Sequence, residues 1–273
     1  MLHFILFKKL GFDSVDFQLA DTNAEPYTMT GEEAEACLLA EKAAMDAAGI
    51  TVFQVHGPWR YPPQDFTEEE RAERLEKMQR SIRFAALLGS KNWIVHPIMP
   101  YGTDASEKEH AAETWALNLD FMKKLLVTAK ECDVTICLEN MPFTEFSIST
   151  PEKILELAKT INDEHFQICL DTGHVSVFPG KSPADALRLM KDYVKTLHIH
   201  DNSGKGDEHK MPYSGIIDWD DFAAALKEID FRGVISLECG PDRKLPDDAY
   251  EAMWKGFAQI AAAIGSKLYP DAK

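Results

Sequence analysis

The chain has 273 residues, 45% of them hydrophobic, with 29 basic against 45 acidic side chains and a formal net charge of −16. That balance argues against a general attraction to nucleic acid or other polyanions, and no apolar run reaches the ~18–20 residues of a membrane span. The length suits one α/β barrel, and no composition break or low-complexity linker divides it, so residues 1–273 read as a single domain.

The opening MLHFILFKKLGFD lacks the basic start and small-residue cleavage site of a secretory signal, which makes a cytoplasmic protein the expectation. Five cysteines with no Cys-x-x-Cys pair read as reduced thiols. Along the chain, amphipathic helical stretches alternate with short apolar strands. Strands are expected at residues 15–19, 52–56, 93–96, 135–139, 167–171, 194–200 and 234–238. Helices are expected at 32–48, 67–88, 106–131, 150–160, 182–193, 219–229 and 246–264. Thr67 with Glu70 forms a capping-box pattern, and Pro151 and Pro183 each follow a hydroxyl residue that suits an N-cap. Seven strand–helix repeats in one domain favour a closed (β/α)₈ barrel with parallel pairing. Leu10-Gly11 before the strand at 15–19 reads as a helix end, so residues 1–10 become the first helix and the first strand is short, displaced or absent. The alternative makes His3–Phe7 that strand.

Barrels of this kind hold their active site at the C-terminal ends of the strands. The strands here end in His56, His96, Glu139, Asp171, His198 or His200, and Glu238. Side chains alternate along a strand, so Gln54, Ile94, Cys137, Cys169, Thr196 and Ser236 face inward with these residues. Val55, Val95, Leu138, Leu170, Leu197 and Leu237 face the helices. The loop after residue 200 adds Asp207 and His209. Four carboxylates crowded into one mouth (Glu139, Asp171, Asp207, Glu238) repel one another unless a cation joins them, and six of the nine histidines lie beside them. Mixed imidazole and carboxylate donors point to Zn, Mn, Fe or Co rather than Ca.

The blocks VHGPW (55–59), VHP (95–97), LENMP (138–142), LDTGH (170–174), LHIHDN (197–202), DEH (207–209) and SLEC (236–239) resemble the xylose-isomerase-like TIM-barrel superfamily, which includes sugar isomerases, epimerases and the endonuclease IV group. The resemblance to ketose 3-epimerases implies one divalent metal on Glu139, Asp171, His198 and Glu238. The two glutamates also exchange a proton through a metal-stabilised enediolate, and His174 polarises an oxygen. It places Glu145 near the substrate. The arginine expected beyond the strand-seven histidine has no equivalent, since Gly204 and Lys205 occupy that region. Trp59, Phe143 and Trp219 are candidate apolar walls, His200 either supports the metal ligands or faces the substrate, and Lys181, Lys205 or Lys210 could meet a phosphate. The endonuclease IV pattern implies up to three zinc ions on His56, His96, Glu139, Asp171, His174, His198, Asp207, His209 and Glu238. Few basic residues lie on the strand-to-helix loops, which disfavours a nucleic-acid substrate. The expectation is therefore a metal-dependent isomerase or epimerase of a small sugar or sugar phosphate, with a homo-oligomer as an option. A zinc phosphodiesterase is the alternative, and a non-catalytic metal-binding barrel the lesser one.

Overall fold

The computed structural model describes residues 2–23, 25–60 and 65–268. Helix α1 (Leu2–Leu10) leads into β1 (Ser14–Gln18), then α2 (Gly31–Ala48), β2 (Thr51–His56), α3 (Glu68–Leu87) and β3 (Asn92–Val95). A 3₁₀ turn (Ala105–His110) precedes α4 (Ala111–Glu131), followed by β4 (Thr135–Glu139), α5 (Pro151–Ile161) and β5 (Phe166–Asp171). The short α6 (Thr172–Ser176) leaves β5 at once, and α7 (Pro183–Met190) with a second 3₁₀ turn leads to β6 (Val194–His198). Helices α8 (Trp219–Glu228) and α9 (Asp247–Leu268) follow. No helix among the described residues is long and apolar enough to cross a membrane.

The six strands pair in parallel in chain order, β1 to β6, the order that helical crossovers between neighbours produce. Local sequence accounts for many boundaries. Thr30 with Glu33 and Thr67 with Glu70 close full capping boxes at the starts of α2 and α3. Ser182 accepts from Asp185 N ahead of Pro183, whereas Thr150 makes no side-chain cap bond and Pro151 starts α5 without one. Gly49 takes φ 72° after α2, the left-handed turn that lets Thr51 begin β2.

Alternation along the strands sorts the core into two parts. Val55, Val95, Leu138, Leu170 and Leu197 belong to the large cluster under the helices, while Ile94, Cys137 and Cys169 form a small separate cluster inside the curled sheet. Those two cysteines are buried free thiols, and no disulfide joins any of the five.

The helix expected over residues 1–10 is α1, so the alternative of a strand at residues 3–7 does not hold. The stretch 234–238 is not a regular strand either, because Ser236 N bonds back to Val234 O at 3.0 Å and contracts the backbone into a tight turn. It still docks in parallel beside β6 through a bridge between Ile199 and Leu237, with Ile199 N to Ser236 O at 2.8 Å and Glu238 N to Ile199 O at 3.0 Å. β6 itself ends at His198, since Asp201 turns aside to pair antiparallel with Lys210. On the far side of residues 234–240 a cleft of about 610 Å³ separates them from β1, lined by Phe7, Phe12, Gln54, Leu237 and Trp254. Among the described residues no strand fills it, which agrees with a first strand that is short, displaced or absent.

Candidate metal centre

Parallel register brings the strand ends level. Gln18 lies opposite His56, His56 opposite Ile94, Glu139 opposite Cys169, and Asp171 opposite His198. His56, Glu139, Asp171 and His198 are therefore the last residues of β2, β4, β5 and β6, and His96 follows β3 directly. The Asp201–Lys210 pairing folds the intervening loop back, which returns Asp207 and His209 to the same mouth.

Glu139 stands at the centre and is fully buried. Its Oε2 lies 3.1 Å from His96 Nε2 and 3.7 Å from His56 Nε2, while Oε1 lies 2.9 Å from His198 Nδ1 and 3.5 Å from His174 Nδ1. Glu238 Oε2 approaches the same His198 Nδ1 at 3.1 Å but off the line of a hydrogen bond, so that oxygen has no hydrogen-bond partner. Asp171 divides its work: Oδ1 caps α6 by accepting His174 N at 2.6 Å, and Oδ2 lies 3.0 Å from His200 Nε2. Asp207 Oδ2 is shared between His174 Nε2 at 3.3 Å and His209 Nε2 at 3.1 Å.

The donor set fits a divalent cation. Ligand atoms lie within 4.8 Å of one another in His56–His96–Glu139, in His56–His198–Glu238, in Asp171–His174–His200 and in His200–His209–Glu238. Among the described residues His96 Nδ1 and His200 Nδ1 are buried without a partner, as is Glu238 Oε2, and buried polar atoms left in this way cost stability unless something joins them.

The electrostatics show how strongly the groups are coupled without an ion. Burial works to raise the Glu139 carboxyl, but His198 and His96 outweigh it and hold it well below the usual range. Burial also raises Glu238, and there the Glu139 and Asp171 charges add to it against the pull of His198. Burial lowers His96 to about 4 despite Glu139. His174 goes the other way: burial opposes its charge, yet Asp171 and Asp207 lift it to about 10. His209 rises to about 9 against burial through Asp207 and Glu238. Asp171 falls to about 2, its burial outweighed by His174 and His200.

A cleft of about 360 Å³ opens on this centre, lined by His56, Trp59, His96, Phe143, His174, Asp207, His209 and Glu238 with Gln18, Ala20, Met141 and Pro142. Trp59 and Phe143 therefore face it as walls. Four residues assigned to substrate binding do not. His200 is fully buried behind Asp171 and stacks on His209 with ring centroids 4.2 Å apart. Trp219 is buried at the start of α8, where its Nε1 donates to Asp201 Oδ2 at 2.9 Å. Glu145 is half exposed and pairs with Lys108, and Lys205 is exposed away from the cleft. Lys181 and Lys210 pair with Glu152 and Glu208.

Three further contributors are Asn140, Asp16 and Gly173. Asn140 accepts Asp171 N on Oδ1 at 2.9 Å, and its carbonyl accepts from His174 Nδ1 at 2.7 Å, which leaves Nε2 turned to Asp207. Asp16 holds the far side of His198, with Oδ2 2.8 Å from Nε2. The alternation Val15-Asp16-Phe17-Gln18 carried the signal for it. Gly173 has no room for a side chain, because a Cβ there would stand 1.9 Å from His200 Cε1. Gly173→Ala should therefore push His200 off Asp171 and weaken zinc binding by about 10- to 100-fold. Zinc titration read beside the circular dichroism spectrum checks this, and unchanged affinity in a folded variant removes Gly173 from that role.

The family model described as a xylose isomerase-like TIM barrel matches residues 4–256. An uncharacterized protein of Methanocaldococcus jannaschii is 30% identical over 190 residues, 67% of this chain and 63% of that protein. A D-psicose 3-epimerase of Enterocloster bolteae is 29% identical over 119 residues, 43% of this chain and 37% of the epimerase. The chain thus spans less than two thirds of the length of these relatives. The crystal structure of a D-tagatose 3-epimerase-like protein superposes with a TM-score of 0.72 at 25% identity, covering 92% of this chain and 90% of that one. With the strand order, the ligand-bearing strand ends and a match over nearly the whole sequence in agreement, the chain belongs to the xylose isomerase-like TIM barrel family.

Proposed function

We propose that the protein is a divalent-metal-dependent isomerase or epimerase acting on a small, uncharged sugar-like carbonyl compound. One observation carries this reading: Glu139 and Glu238 both converge on His198 Nδ1, at 2.9 and 3.1 Å, while their proton affinities are pushed in opposite directions. Glu139, Asp171, His198 and Glu238 would hold the cation, which supplies Lewis-acid polarisation of a carbonyl and its neighbouring hydroxyl. Inversion at a carbon beside a carbonyl needs one group to take a proton and another to return it on the other face, and Glu139 and Glu238 are the two carboxylates offered for that exchange. Trp59 and Phe143 offer apolar surface to a sugar ring face, and His174, Asp207 and His209 line the polar side.

The cleft supports the substrate class. At about 360 Å³ it lies at the small end of ligand pockets. No lysine or arginine is among its described lining residues, which favours a neutral substrate over a phosphorylated one. The likeness to a D-psicose 3-epimerase and a D-tagatose 3-epimerase-like protein supports ketose chemistry.

The test strips the protein with a chelator, restores Mn²⁺ or Zn²⁺, and follows D-psicose, D-fructose and inosose in D₂O. The expected result is one ion per chain and ion-dependent deuterium entry at the carbon beside the carbonyl. A loaded protein that exchanges none of these protons sinks the reading. The His56–His96–Glu139 and Asp171–His174–His200 groupings also support a second reading, a multinuclear zinc phosphodiesterase. Three zinc ions per chain together with cleavage of abasic-site DNA would favour it.

A further inference from the structure

We infer that Asp16 is a positioning residue that fixes which nitrogen of His198 is offered to the cation, an inference that rests on the metal-binding reading above. His198 is wholly buried, and its two ring nitrogens face different partners. Nδ1 lies 2.9 Å from Glu139 Oε1 and 3.1 Å from Glu238 Oε2, on the cavity side. Nε2 lies 2.8 Å from Asp16 Oδ2. A carboxylate only accepts hydrogen bonds, so in the metal-free ring both nitrogens donate, Nε2 to Asp16 and Nδ1 to Glu139; an ion on the cavity side would replace the Nδ1 proton, while Asp16 keeps the proton on Nε2. Carboxylates that act on a metal-binding imidazole in this way orient the ring and raise its basicity.

The fold fixes Asp16 in turn. The register between β1 and β2 shifts after Val15, which stands opposite Val52, so that Asp16 stands opposite Gln54 and skips Phe53. Such irregularities re-aim side chains, and here the shift sets Asp16 and Gln54 side by side. Gln54 Nε2 donates to Asp16 Oδ2 at 2.8 Å and lies 3.2 Å from both Leu197 O and Ser236 Oγ. One amide thereby ties β1, β2, β6 and the 234–238 segment around the carboxylate. Among the described residues Asp16 has no lysine or arginine within ion-pair distance and its Oδ1 has no hydrogen-bond partner, and its side chain is 9% exposed. A buried carboxylate in that condition costs stability rather than adding to it, so its use lies in what it does to His198.

The experiment compares wild type with Asp16→Asn and Asp16→Ala, both full length. Zinc affinity of the metal-free proteins is measured by calorimetric titration, and the His198 Nε2–H proton is observed by NMR. Wild type should show a strongly deshielded, slowly exchanging Nε2–H. Asp16→Ala should lose that resonance, Asp16→Asn, which keeps an acceptor oxygen but no charge, should shift it upfield, and both should bind zinc about 10- to 100-fold more weakly. A zinc-loaded crystal structure of the wild type should place Nδ1 on the ion, a readout that needs no variant to fold. Zinc on Nε2, an Nε2–H resonance unchanged in both variants, or variants that bind zinc within twofold of wild type each overturn the assignment. A wild type that binds no zinc yet keeps an Asp16-dependent Nε2–H refutes the proposed function and leaves the hydrogen bond standing.

Discussion

Replacing Glu238 by Gln should lower turnover by about 10²- to 10⁴-fold, the range a positioned acid or base contributes, while the protein stays folded. Gln keeps the size and an acceptor oxygen but cannot exchange a proton. The fold is insulated from the change because the 234–238 segment is anchored by backbone bonds to Ile199, and the affected oxygen, Oε2, makes no hydrogen bond. Glu139→Gln is a poorer probe, since Glu139 contacts both His96 and His198 at 3.1 and 2.9 Å and its loss would disturb three groups at once. The measurement is solvent deuterium entry into the substrate at saturating metal, with metal content and circular dichroism recorded on the same sample. Metal content matters because Glu238 is also assigned as a ligand. A metal-loaded, folded variant that turns over within twofold of wild type removes Glu238 from proton transfer.

The largest expected loss of stability lies away from the centre, at Asp65. This carboxylate is fully buried, pairs with the equally buried Arg74 of α3, and accepts Met99 N at 3.1 Å in the loop after β3. Asp65→Ala leaves the Arg74 guanidinium without its counter-charge in a position only 4% exposed. Breaking one side of a buried pair costs about 3–5 kcal/mol, which for a domain of this size lowers the melting temperature by on the order of 10 °C. The double change Asp65→Ala, Arg74→Met removes the stranded charge and should recover most of the loss. A single variant that melts within about 2 °C of wild type would show that water or a neighbour satisfies Arg74. Because α3 packs against β3, where Trp93 Nε1 donates to Ser81 Oγ at 2.9 Å, and His96 follows that strand directly, a weakened α3 should also loosen that side of the mouth.

Much of the site was legible in the sequence because strand geometry is simple. With side chains alternating and strands in parallel register, a polar residue at the end of each strand must reach the same mouth. His56, His96, Glu139, Asp171, His198 and Glu238 therefore gather from the sequence pattern alone, and Ile94, Cys137 and Cys169 form the inner cluster that parity requires. The same logic failed for residues that leave the strands. His200 shares the parity of His198, but β6 has ended by then, and the ring packs behind Asp171 instead of facing the cleft. Trp219 and Glu145 lie on segments whose course depends on loops, and loop paths are set by partners distant in sequence. Trp219 turns inward because Asp201, eighteen positions earlier, accepts its Nε1.

What the sequence determined by itself is the strand–helix alternation, the inner and outer faces of each strand, and the chemical character of the mouth, because these follow from periodicity and residue type at short range. Tertiary structure decided the rest. The shift that sets Asp16 opposite Gln54, the tight turn at 234–236 that keeps the last segment from becoming a regular strand, and the choice of which ring nitrogen of His198 meets Glu139 all depend on contacts across the sheet. Asp16 and His198 are 182 residues apart, yet their atoms lie 2.8 Å from each other. Which partner a nitrogen meets is fixed only when the sheet curls and brings its first and last strands toward each other.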